Sequence, residues 1–212
     1  MIGCSKSFGR FLLHAGLILT LLGGTVRAEE ASTGRILNAL TPRFRSLSLG
    51  TPAPAPAARP SRDEAFVDGL RGRPSYAVSA EEREALVKLT TGRPQIDLTI
   101  EFDRNSDVLR GKALITAGNL GKALGSERMR SQTFLIAGHT DAKGADVTNQ
   151  ALSERRADAL KRYLVTTFGI PAMNLITAGY GKTHLKTSAD PNGRENRRVQ
   201  VVNMLQVQTA GR

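Results

Sequence analysis

Tryptophan is absent from this 212-residue chain, all aromatic residues together make up 5% of it, and cysteine occurs once. A core built from such a chain has to be aliphatic. The lone cysteine, Cys4, has no partner for an intramolecular disulfide and cannot form a thiolate metal site. Histidine is almost as scarce, at three residues, His14, His139 and His184, whereas a zinc site needs three or four ligands. The shortage of aromatics also leaves little to stack on nucleic-acid bases. Acid is the other deficit. Thirty basic residues face nineteen acidic ones, giving a net charge of +11. No acid lies between Glu30 and Asp63, a stretch that carries Arg35, Arg43, Arg45, Arg59 and Arg62.

A long apolar run is also missing, apart from residues 11–22 near the start. That run is short for a membrane span. With Lys6 and Arg10 before it and Val26-Arg27-Ala28 after it, residues 1–28 read as a secretory signal peptide cleaved after Ala28; an uncleaved anchor is the alternative. Cys4 precedes the apolar run, so it is not a lipoprotein cysteine. Cleavage removes Lys6, Arg10 and Arg27 and no acid, which lowers the net charge to +8. An exported basic protein meets anionic envelope polymers, whereas a cytosolic one would meet nucleic acid. The signal segment decides for the envelope, and no nucleic-acid partner is expected.

The length suits one ordinary domain with extensions. Residues 29–62 read as a basic, Pro/Ala-rich tether, with a short helix at 35–40 and a stretch at 52–60 (PAPAPAARP) suited to polyproline II, roughly 28 Å long. Residues 63–94 form a charged connector with a short helix opened by the capping box Ser79-Ala80-Glu81-Glu82. The domain is expected over 95–207. Ile96, Leu98, Ile100 and Phe102 alternate with polar residues as a strand with one buried face. A polar loop at 103–107, a helix at 109–124 and an apolar strand at 133–137 follow. A long helix then runs from Thr148 or Asn149 to about Phe168, ended by Gly169 and Ile170-Pro171. Strands at 175–178 and 197–205 complete the order β-α-β-α-β-β.

Chemistry concentrates in residues 138–157, GHTDAKGADVTNQALSERRA. On a helical wheel Glu154, Arg155, Asp158, Lys161 and Arg162 share one side, while Asn149, Leu152, Arg156, Leu160, Tyr163 and Leu164 share the other. Arg156 is therefore the charged residue on the apolar stripe. A guanidinium keeps its proton, so a buried one needs an anionic partner or a ligand. Asp141, Asn149 and Arg156 can converge on one cleft and take a small group bearing both an ammonium and a carboxylate. The alternative is an internal Asp141–Arg156 salt bridge. In the last strand, period two places Arg197 on the buried face with Val199 and Val201, where it either touches the ligand or braces Asp141.

Gly138-His139-Thr140-Asp141, Gly144, Asn149, Leu152-Ser153 and Arg156-Ala157 resemble the signature of the OmpA-like peptidoglycan-binding domain. The resemblance continues through Gly169-Ile170, Ala178-Gly179-Tyr180-Gly181 and Asn196-Arg197-Arg198-Val199 and covers about half the chain. It implies an α+β fold, a βαβαββ two-layer sandwich with a mixed sheet and helices on one face. It also implies that Asp141 and Arg156 hold the diaminopimelate of a peptidoglycan stem peptide, with Thr140, Asn149, Arg197 and Asn105 around it. Lys182 stands where an acid is common in that family.

Other signals are incomplete. Gly181-Lys182-Thr183 ends like a phosphate-binding loop, but Ile176 replaces its first glycine. His139 and Asp141 lack further metal ligands, and Ser153 sits on a helix without a nucleophile's elbow, so His139 is expected to make a structural hydrogen bond at the strand end. No cofactor and no enzymatic activity are expected. About sixty residues precede the first domain strand, fewer than the roughly 80 of an eight-stranded barrel, so no transmembrane barrel is expected. The resulting expectation is a noncatalytic, peptidoglycan-binding module in a Gram-negative periplasm, associated with the cell wall and outer membrane. The alternative is an envelope adaptor that recruits protein partners through its basic tether.

Overall fold

The computed structural model describes residues 31–42, 61–103 and 105–204. The signal segment, the proline-rich stretch at 52–60 and the end of the last expected strand at Leu205 lie outside them. The α+β order anticipated for the domain is present: β1 (Gln95–Leu98), α4 (Gly111–Leu124), β2 (Phe134–Gly138), α5 (Asp146–Phe168), β3 (Leu175–Gly179) and β4 (Val199–Asn203). Ahead of them come α1 (Thr33–Leu40), α2 (Arg62–Gly69) and α3 (Ala80–Thr90). The sheet is mixed, in the order β1-β4-β2-β3. β4 lies antiparallel between β1 and β2, and β3 runs parallel to β2 at the edge.

Period-two side chains divide this sheet into two apolar faces. Ile96, Leu98, Phe134, Ile136, Val199 and Val201 pack with Leu120 and Leu124 of α4 and Leu160 and Leu164 of α5. On the opposite face Leu135, Ala137, Ile176, Ala178 and Val202 pack with Val67, Leu70, Val78 and Leu86. The domain's own helices thus occupy one face, as expected, but the charged connector builds a further layer on the other. Two capping boxes start that layer's helices, Ser61 with Glu64 and Ser79 with Glu82. Helix α2 had no counterpart in the sequence reading.

The tether reading also changes at its first helix. Ile36 and Leu40 are completely buried in the core formed with α4, and Asn203 Nδ2 donates to the Leu40 carbonyl at 2.9 Å. An eight-residue helix is not stable alone, so burial of this apolar stripe is what keeps α1 helical.

Two strands are shorter than their sequence pattern. The alternation continues to Phe102, yet β1 ends at Leu98, paired with Val199. Upstream of Val199 the paired strand leaves the sheet in a 3-10 turn, Arg194–Asn196. The fully buried Asn196 pins this turn, donating from Nδ2 to the carbonyl of Asp190 at 2.8 Å. Residues beyond Leu98 therefore have no ladder partner, and β4 begins at Val199, not Arg197.

Helix α5 lies directly on the loop ends of β2 and β3. A Cβ on Gly138 would sit 2.3 Å from the Ser153 carbonyl oxygen, and one on Gly179 2.6 Å from the Glu154 nitrogen. These two glycines pair across the strands, so both are required for the helix to approach. The polar face of α5 is not all solvated: Asp158 accepts from Ser75 Oγ at 2.7 Å and Thr177 Oγ1 at 2.6 Å. The far end closes as expected, with Gly169 at φ 64° donating to the Val165 carbonyl.

Candidate functional site

The loop leaving β2 is held by its own backbone. His139 N donates to the Arg198 carbonyl at 3.0 Å, Thr140 N to Gly181 at 2.8 Å and Ala142 N to Pro191 at 2.9 Å. Thr140 is buried, and its hydroxyl donates to the Asp141 carbonyl at 3.0 Å. Asp141, 9% exposed, accepts the Lys143 amide at Oδ1 (3.2 Å) and Arg197 Nη1 at Oδ2 (2.7 Å). Asn149 closes the loop by donating from Nδ2 to the Lys143 carbonyl at 2.8 Å, above Gly144 at φ 89°.

Arg156 is 8% exposed on the apolar stripe of α5. Its Nε donates to the Ser106 carbonyl at 3.0 Å, its Nη2 to the Asp103 carbonyl at 3.2 Å, and its Cζ lies 4.9 Å from the Phe102 ring centroid. No carboxylate of the described residues is within ion-pair distance of it. The internal Asp141–Arg156 bridge weighed above is therefore not formed. Burial pulls the Arg156 pKa below its ordinary value, and the positive charge of Arg197 adds to this. A guanidinium remains protonated under such shifts. Asn105 stands in the turn between Asp103 and Ser106 at φ 53°, a conformation asparagine tolerates better than most residues.

Arg156 and Arg197 open onto one cavity of about 620 Å³, between the 99–103 segment, the start of α4 and the mouth of β4. Asp141, Thr140, Asn149 and Asn105 are not among its lining residues; Asp141 reaches it through its bond to Arg197. Arg197 is not on the buried face, because the strand alternation that placed it there starts only at Val199. Its side chain is 47% exposed, and it braces Asp141. The buried arginine at this corner is Arg198, 9% exposed, with Nε 3.2 Å from Asp97 Oδ1 and Nη2 donating to the His184 carbonyl at 3.3 Å.

His139 departs from expectation as well. It is 5% exposed, and neither ring nitrogen has a hydrogen-bond partner among the described residues. It stacks on Tyr180, with centroids 5.3 Å apart and planes 11° from parallel. Burial, aided by the nearby Arg198 charge, lowers its pKa to about 3. The imidazole is thus neutral at ordinary pH. Arg110 and Lys112, at the start of α4, also line the cavity and were not singled out from the sequence. Their signal was present: two cations and no acid at the first turn of a helix that follows the site-bearing loop.

A mixed four-stranded sheet with a cation-lined cleft at one corner defines an α+β binding module. Residues 101–198 match the model of the OmpA family. The chain is 30% identical over 162 residues to outer membrane porin F of Pseudomonas aeruginosa, covering 72% of this chain and 45% of that protein. It is 34% identical over 105 residues to the peptidoglycan-associated lipoprotein of the same species, covering 49% of this chain and 60% of the relative. The crystal structure of a peptidoglycan-associated lipoprotein from Burkholderia pseudomallei aligns at 25% identity with a TM-score of 0.41, covering 49% of this chain and 87% of that one. The chain spans less than half the length of porin F from P. aeruginosa, and 32% of porin F from P. fluorescens.

Proposed function

We propose that this protein is a noncatalytic module of the bacterial envelope that binds peptidoglycan in the periplasm, close to the cell wall and outer membrane. The observation that carries this reading is Arg156. It is a buried guanidinium, fixed by two carbonyls and an aromatic face, open to a cleft and without a carboxylate partner among the described residues. Such a group is pre-organised for an anion from outside the protein. In the proposed complex the stem peptide's diaminopimelate places its carboxylate on Arg156 and its ammonium on Asp141. A carboxylate offers about four lone-pair sites, and Asp141 uses one for Lys143 and one for Arg197, so acceptor capacity remains. Arg197 and the Asn105 turn form the rim, while Thr140 and Asn149 hold the loop in shape. The sequence similarity to a peptidoglycan-associated lipoprotein supports the same ligand class.

The test is sedimentation with purified sacculi. The wild-type protein is retained in the pellet, and a protein carrying both Asp141→Ala and Arg156→Ala is not, while its circular dichroism spectrum is unchanged. Equal retention of the double variant would contradict the assignment.

A further inference from the structure

The connector between α2 and α3 makes a pinned turn beside α5. Ser75 is fully buried and donates from Oγ to Asp158 at 2.7 Å, Arg73 is held by Glu82 at 2.7 Å, and Arg71 donates from Nη1 to the Met173 carbonyl at 3.1 Å. Burying Ser75 turns its neighbour in the 3-10 turn Ser75–Ala77 outward. Tyr76 is 75% exposed, on backbone that is fixed beneath it.

Tyr76 borders a groove of about 450 Å³ between this turn and α5, where Pro74, Val165 and Ala172 supply an apolar lining. At its Gly72 end stands Met173, 53% exposed; a Cβ on Gly72 would lie 3.1 Å from Met173 Sδ. Exposed apolar residues are ordinary when scattered, but two of the six large ones exposed among the described residues flank this single groove. Tyrosine, methionine and arginine are the residues that protein interfaces favour.

The charges around the groove are unbalanced. Arg73, Lys161 and Arg162 line it against one acid, Asp158. Asp158 is spent inward, on Ser75 and Thr177, and Arg73 is spent on Glu82. Lys161 has no ion pair or hydrogen bond among the described residues, and Arg162, 66% exposed, reaches Asp107 only at 3.6 Å. Partial burial lowers the Lys161 pKa, a cost that a carboxylate from outside would relieve.

We infer that this groove docks a segment of another protein that carries an apolar side chain beside acidic ones. The apolar group seats between Tyr76 and Val165, and the acids meet Lys161 and Arg162. On the helical repeat of α5, Lys161 and Val165 point away from Arg156, so a partner here leaves the cleft open. A second copy of this chain would set the same cations against each other across an isologous contact, and a bilayer is flat where this surface is concave. The inference does not rest on the wall-peptide reading.

Fluorescence anisotropy with two labelled synthetic amphipathic peptides tests it. Both share a leucine face, and the opposite face bears glutamates in one and lysines in the other. The glutamate peptide binds the wild-type protein at least about tenfold more tightly than the lysine peptide, and Tyr76→Ser and Lys161→Glu each weaken it about tenfold. Neither side chain is buried, so thermal unfolding and retention on sacculi stay as in the wild type. Equal binding of the two peptides, no binding of either, or binding that both variants leave unchanged overturns the docking site. Self-association in sedimentation velocity, or binding to phosphatidylglycerol vesicles, that Tyr76→Ser abolishes assigns the groove to a second copy or to lipid and overturns it as well.

Discussion

Arg197 reaches Oδ2 of Asp141 at 2.7 Å, so Asp141 is paired with Arg197 and not with Arg156, the pairing the sequence offered. Asp141 is compensated from the rim of the cleft, whereas Arg156 is held by backbone carbonyls in the cleft wall. One member of the proposed zwitterion grip is thus braced and the other is left open.

Replacing Arg197 by Gln separates bracing from binding. Its side chain is half exposed, so the pair contributes no more than about 1 kcal/mol to stability. Urea unfolding should shift little. Affinity for a diaminopimelate stem peptide should fall by less than about tenfold, since Asp141 loses orientation but not its charge. Asp141→Ala should abolish binding. A loss with Arg197→Gln as large as with Asp141→Ala would make Arg197 a direct ligand contact.

The buried imidazole of His139 fixes a pH dependence. Its pKa is about 3 in the folded protein, against an ordinary 6.5. Between those values the unfolded chain binds a proton that the folded one excludes. Stability from this group is therefore complete above pH 6.5 and declines as pH falls toward 3, by about 1.4 kcal/mol per pH unit. Urea unfolding at pH 7, 6, 5 and 4 measures the slope. His139→Phe keeps the stack on Tyr180 and should flatten it; an unchanged slope would assign the effect to the carboxylates.

Removing residues 29–42 distinguishes a docked helix from a tether. The deletion uncovers the core beneath Ile36 and Leu40, both fully buried. At about 1.5–3 kcal/mol for each buried aliphatic side chain, the remaining protein should unfold at clearly lower urea. An unchanged midpoint would mean that α1 contributes nothing to the fold.

What was legible in the sequence follows from what side-chain periodicity can carry. Helix α5, its Gly169 cap and the strands β2 and β3 declare themselves through spacing and glycine placement. The layer on the sheet's second face does not. Val67, Leu70, Val78 and Leu86 are few and scattered in a charged stretch, and only the burial partners Ile176, Ala178 and Val202 reveal their purpose. In the site, Arg156 was legible as the charge on an apolar stripe. Its partners were not, because Asp103 and Ser106 act through carbonyl oxygens, which every residue has. Arg197 and Arg198 exchanged places for a related reason. Alternation assigns faces only where a strand is paired, and pairing starts one residue after them.

The central claim is that Asp141 and Arg156 read the ammonium and carboxylate of diaminopimelate, and ligand chemistry tests it most directly. A stem peptide with lysine in place of diaminopimelate keeps the ammonium and loses the carboxylate, leaving Arg156 buried and unpaired. That penalty is about 2–5 kcal/mol for a buried charge-assisted pair. Calorimetric titration should therefore show the lysine peptide binding roughly 30-fold or more weakly than the diaminopimelate peptide. Indistinguishable affinities would contradict the account, because the cleft would then not be reading this group.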